Sequence, residues 1–171
     1  MKALCLALAA LLAGPALAMT GVVTRVSDGD TVWVKSDDAR KRKPVKVRLV
    51  GIDAPERCQP WGAEATAALS ARVLHRRVEV PTRGVDTHGR VLGGLRLDDG
   101  SDVAAWMVSQ GHAWSPRFRH HPGPYAQQQR DAQARRAGLF ADPAAVEPRV
   151  FRKAHGPCEV TAPLRSSSAP D

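Results

Sequence analysis

The sequence predicts an α+β domain: a small closed barrel of five short strands with three helices packed on it. Three observations lead there. Five short segments of β-branched or alternating residues come first, the last ending at Leu97. One helical segment is inserted among them, and two more follow. The length suits one domain with a real core and is too short for two. Five strands closing on themselves point to an OB-type barrel.

The first stretch is a leader. Met1-Lys2 is a short positive start, Ala3 to Leu12 an apolar run, and Ala16-Leu17-Ala18 an A-x-A cleavage site. The run is too short to span a bilayer, and Gly14-Pro15 breaks it. Residues 1–18 are therefore expected to be a cleaved secretory signal, with the protein periplasmic or secreted. The competing reading is an uncleaved membrane anchor. The mature domain is expected over residues 19–153. Residues 154–171 read as a tail, tethered by Cys158 and then disordered.

Within the domain, GVVTRV, the turn SDGD and TVWVK over 21–35 read as two strands around a turn. Ser36 to Lys43 is a polar loop containing the basic run Arg40-Lys41-Arg42-Lys43. Val45, Val47, Leu49 and Ile52 mark a third strand, ending at Asp53-Ala54-Pro55. Pro60-Trp61-Gly62 leads into a helix whose face is Ala65, Ala68, Leu69 and Val73, with Glu64 in the first turn. Arg77 to Pro81 and Arg90 to Leu97 read as strands on either side of the turn Gly84 to Gly89. A second helix is expected from Asp102 to Gln110, stopped by Gly111. Residues 115–124 form an irregular basic loop. A third helix is expected from Tyr125 to Ala137, ended by Gly138.

The formal net charge is +8, and loss of the leader removes only Lys2. A basic exported domain suits a polyanion: nucleic acid, phospholipid or cell-wall polymer. No basic amphipathic helix with large apolar residues is read from the sequence, so stable membrane association is not expected. Cys5 leaves with the leader. Cys58 and Cys158 remain, an even count in an oxidising compartment, and a disulfide between them is expected. Zinc-ligand spacing is absent. No apolar excess demands a partner subunit, so the expected state is a monomer.

Three segments carry the chemistry: SDGDTVWV at 27–34, VRLVGIDAPE at 47–56 and DTHGR at 86–90. They supply Asp30, Arg48, Asp53, Glu56 and Arg90. Two carboxylates suit a hard metal, two guanidiniums suit phosphate, and one carboxylate is free to act as a base. Each segment has a plainer reading. Asp28-Gly29-Asp30-Thr31 could be an ordinary turn, and Arg90 a solvated arginine. The string DGDTV also fits an aspartate-nucleophile phosphatase pattern, but that needs a doubly wound α/β domain, which these alternating flanks do not provide.

Together the three segments resemble the thermonuclease family, also called staphylococcal-nuclease-like. The matching residues are Asp28-Gly29-Asp30-Thr31, Arg48-Leu49 through Ile52-Asp53-Ala54-Pro55-Glu56, and Asp86 with Gly89-Arg90. The resemblance covers about residues 21–142, in family order, and continues to Gly138-Leu139-Phe140. It implies an OB barrel with three helices and calcium-dependent cleavage of DNA and RNA that leaves 3′-phosphate ends. It further implies that Asp30, Asp53 and the Ala54 carbonyl hold Ca2+, with Asp28 acting behind them through water. Glu56 would be the general base, and Arg48 and Arg90 would clamp the phosphate.

The chain departs from better-known members at Thr87-His88, where those carry a Lys-Tyr pair on a second phosphate. His88 could replace part of that contact or simply be a solvated turn residue. In Trp114-Ser115-Pro116-Arg117-Phe118-Arg119, aromatic and basic residues interleave, which suits single-stranded nucleic acid. Arg117 and Arg119 are candidates for backbone phosphate, whereas Trp114 is expected to pack. The alternative to a nuclease is a catalytically silent OB-fold nucleic-acid-binding module. A structural envelope protein with a basic surface is a further one.

Overall fold

The structure, a computed structural model, describes residues 18–156 and Cys158. Residues 1–17 of the expected leader 1–18 and the expected disordered end of the tail lie outside the described residues, whereas Ala18 opens the first strand. Among the described residues there are six strands and four α-helices: β1 (Ala18–Asp28), β2 (Thr31–Ser36), β3 (Val45–Leu49), α1 (Gly62–Val73), β4 (Arg77–Val85), β5 (Val91–Gly93), β6 (Arg96–Leu97), α2 (Val103–Ser109), α3 (Ala126–Ala134) and α4 (Pro148–His155). The strand order is β1-β2-β3-β5-β4, and β1 pairs again with β4 to close the barrel. All these pairings are antiparallel except β3 with β5. The two-residue β6 extends β4 alone. This is the expected five-stranded α+β barrel of OB type.

Alternation fixes which face of each strand turns inward. Val23, Val32, Val34, Val47, Leu49, Val78 and Val80 fill the barrel with almost no exposure. Ala65, Leu69 and Val73 of α1 and Val103, Met107 and Val108 of α2 join that core. Asp102 caps α2 by accepting the Ala105 N–H at 3.1 Å. Its other oxygen accepts the Tyr125 hydroxyl at 3.0 Å, and burial, aided by the Asp102 carboxylate, pushes the Tyr125 pKa up to about 12.

Two expectations need correction. The strand expected at Arg90–Leu97 is two short strands, because Gly93 crosses β4 so closely that a Cβ there would lie 2.8 Å from the Pro81 carbonyl. A fourth helix, α4, runs past the expected domain end at Lys153. Pro148 occupies its first turn and Gly156 ends it at φ 74°. Among the described residues, no helix is long and apolar enough to cross a membrane.

The turn into α1 also fixes the loop before it. A Cβ on Gly62 would sit 1.9 Å from the Glu56 carbonyl oxygen, so only glycine fits. Gly62→Ala must push residues 56–62 apart and is expected to cost about 1–3 kcal/mol, read as a lowered Tm. An unchanged Tm would show that this loop moves freely.

Candidate active site

Asp28, Asp30, Arg48, Ala54, Glu56, His88 and Arg90 come together around one cleft at the ends of strands, whereas Asp53, Arg117 and Arg119 line a neighbouring one. β1 ends at Asp28 and β2 begins at Thr31, so Gly29-Asp30 is a two-residue turn. Gly29 is required by space: a Cβ would lie 2.6 Å from the Ala54 Cβ. Asp28 Oδ1 accepts the Asp30 N–H at 3.1 Å and shapes the turn. Asp30 is buried. Its Oδ1 accepts the Thr31 hydroxyl at 3.0 Å, and its Oδ2 accepts the Ala54 N–H at 3.0 Å and lies 2.9 Å from Arg48. Burial pushes the Asp30 carboxyl up to about 7, against the pull of Arg48 and with some help from Asp28.

Arg48 leaves β3 on the face opposite Val47 and Leu49. Its Nη1 donates to the Leu49 carbonyl at 2.8 Å and the Ile52 carbonyl at 3.0 Å. Its Nη2 bridges Asp30 at 2.9 Å and Asp53 at 3.1 Å. Asp53 is held by a two-way backbone bridge to Trp114, with N–H to carbonyl distances of 2.9 Å each way. Thus the two expected metal-binding carboxylates converge on one guanidinium nitrogen.

Glu56 sits on a loop pinned by Gln59, a buried residue that the sequence reading missed. The Gln59 side-chain carbonyl accepts the Glu56 N–H at 3.1 Å, and its amide donates to the Val146 carbonyl at 2.7 Å. Arg90 is set by Asp86, which accepts its backbone N–H at 2.9 Å and its Nε at 2.7 Å, and the His88 N–H at 2.9 Å. Burial would raise Asp86, but these bonds outweigh it and hold the carboxyl at about 2. A depressed carboxyl pKa favours the fold at higher pH. The contribution is complete above pH of about 4 and fades as pH falls through about 2.

A cleft of about 360 Å³ is lined by Asp28, Asp30, Arg48, Ala54, Glu56, His88 and Arg90. Asp53 lies on the far side of Arg48. It lines a neighbouring cleft of about 610 Å³ together with Arg117, Arg119, Arg149 and Trp114. Trp114 packs edge-on against Phe140 at 4.8 Å, as expected for a structural aromatic.

Arg152 of α4 was not anticipated, and it lines both clefts. Its guanidinium donates to Asp53 Oδ1 at 3.2 Å, Asp53 Oδ2 at 2.9 Å and Glu56 Oε1 at 2.7 Å. The bonds to Asp53, and after them those to Glu56, raise its pKa further. The available signals are Pro148 and Gly156 as helix bounds, in a stretch to which the sequence reading assigns no element. The disulfide Cys58–Cys158 closes the same corner.

The donor set fits a hard divalent cation. Two hard carboxylates, Asp30 and Asp53, lie 2.9 and 3.1 Å from one shared Arg48 nitrogen. No three His, Cys, Asp or Glu side chains among the described residues could enclose a metal by themselves. The protein would supply Asp30, Asp53 and main-chain oxygen, with water and phosphate completing the shell.

The topology is that of an OB-class barrel, with a cleft lined by charged residues at its strand ends. Residues 46–142 match the model of the staphylococcal nuclease homologue family, and the chain belongs to that family. It is 41% identical to Protein ParB of Escherichia coli, over 82% of this chain and 84% of that protein. It is 35% identical to a micrococcal nuclease of Shigella flexneri (78% and 80% covered). An uncharacterized endonuclease of Haemophilus influenzae is also 35% identical (77% and 71%).

Proposed function

We propose that this chain is an exported, metal-dependent nuclease that hydrolyses phosphodiester bonds in DNA and RNA and leaves 3′-phosphate ends. It would act as a monomer, with single-stranded segments preferred. The observation that carries the reading is the single cleft in which Asp30, Arg48, Glu56 and Arg90 meet from separate strand ends. A bound Ca2+ would polarise the phosphoryl group and template the attacking water. Glu56 accepts the proton of the attacking water as the new P–O bond forms and the bond to the 5′-oxygen breaks, that oxygen taking a proton from solvent. Arg48 and Arg90 face the phosphate oxygens on which charge gathers, and planar guanidiniums match such oxygens two at a time. The Arg117 and Arg119 side chains carry the strand onward by its backbone.

One observation favours the catalytically silent binding module: Arg152 already occupies Asp53 and Glu56. Cleavage of single-stranded DNA by wild type and Glu56→Gln, each with Ca2+ and with chelator, separates the readings. Cleavage by wild type with Ca2+ alone supports the nuclease. Salt-sensitive binding without cleavage supports the module.

Asp86 should matter through Arg90. Asp86→Ala leaves the guanidinium unheld and is expected to lower kcat/KM by about 10²-fold, the scale of a 1 Å misplacement. Steady-state cleavage checks this, and an unchanged value would remove Asp86 from the site.

A further inference from the structure

Arg152 has no part in the mechanism above, yet it makes the densest set of contacts to the site's carboxylates. It stands outside the segment matched by the family model, which ends at residue 142. The helix that bears it is fastened at both ends to the loop carrying Glu56. Ahead of α4, Val146 accepts the Gln59 amide, and Gln59 in turn holds the Glu56 N–H. Beyond α4, Cys158 is bonded to Cys58, two positions after Glu56. The position of the helix therefore does not depend on the Arg152 ion pairs. The Arg152 side chain itself is 40% exposed, so it can swing without unpacking a core.

A cation ligated by Asp53 and a guanidinium bonded to both Asp53 oxygens compete for the same lone pairs. When Asp53 is taken, Arg152 is left at the junction of the two clefts, beside Arg48 on one side and Arg117, Arg119 and Arg149 on the other. A guanidinium fork matches phosphate as well as carboxylate. We propose that Arg152 is a further substrate-binding residue with two partners. It neutralises Asp53 and Glu56 while the cation is absent. On cation loading it moves to a backbone phosphate next to the scissile one. This rests on the nuclease reading above.

The test compares Arg152→Ala and Arg152→Gln with Arg149→Ala. Arg149 is an exposed arginine on the same helix with no carboxylate partner among the described residues. Calcium binding is measured by calorimetry without nucleic acid, and kcat/KM on single-stranded DNA is measured against salt. Both Arg152 variants should bind Ca2+ on the order of tenfold more tightly than wild type, because the competing state is gone. Arg149→Ala should show only the smaller effect of a lost charge. The Arg152 variants should also cleave less efficiently, with the salt slope reduced by about one. Calcium affinity no higher than that of Arg149→Ala, or an unchanged salt slope, overturns the proposal. Failure of the underlying reading looks different: neither wild type nor any variant would bind Ca2+ or cleave, and both readings would fall.

Discussion

Glu56→Gln is expected to abolish cleavage and leave nucleic-acid affinity intact. The two side chains have the same shape, and glutamine keeps an oxygen for the Arg152 guanidinium that now lies 2.7 Å away. What it loses is the ability to accept a proton. The loop should not move, because it is held by backbone contacts: the Glu56 N–H to Gln59 at 3.1 Å, and the Glu56 carbonyl from the Gln59 N–H at 2.9 Å. Loss of a general base lowers kcat by about 10²–10⁴-fold. Rates with Ca2+ and binding measured with chelator give the two halves of the result. Equal cleavage by both proteins would mean that Glu56 is not the base.

Arg48→Lys is expected to damage both stability and activity. The guanidinium reaches in two directions at once, with Nη1 on two carbonyls and Nη2 between Asp30 and Asp53. An ammonium on a single stem keeps the charge but cannot span that fork. At 18% exposure the side chain is mostly out of water, so abandoned partners stay unpaired. Loss of one or two such bonds costs about 1–3 kcal/mol, a Tm lower by on the order of 5 °C. With the fork gone, kcat should fall by roughly 10²–10³-fold, as when one preorganised donor is removed. Thermal unfolding and steady-state cleavage of folded protein check the two parts. Arg90→Lys should share the activity loss. Near-wild-type rates in both would contradict the clamp.

The barrel was largely legible because its strands alternate cleanly. Val32, Val34, Val47 and Leu49 announce an inward face with period two, and the structure buries them all. The strand through Gly93-Gly94 was misjoined, since close backbone approach leaves no pattern beyond the glycines themselves. Asp30, Arg48, Glu56 and Arg90 were legible through motif spacing. Their convergence depends on β3 pairing with β5, which no local signal announces. Asp53 and Glu56 were read as free to receive a metal and a water. The structure instead gives them to Arg152, nearly a hundred positions away, on a helix in a stretch to which the sequence reading assigns no element. Gln59 was missed for a similar reason: a glutamine next to a cysteine gives no hint of burial.

Barrel closure itself has a kinetic consequence. β1 completes its second edge only by meeting β4, with Met19 opposite Val80, and β3 needs β5, with Val47 opposite Val91. Such distant pairings carry the loop-closure entropy of long intervening segments before any contact compensates for it. Folding should therefore run in milliseconds to seconds, at the slow end for small domains. The rim residues come from ends of strands that only closure aligns. During refolding, catalytic competence should return together with the last strand pairing and not with early helix formation.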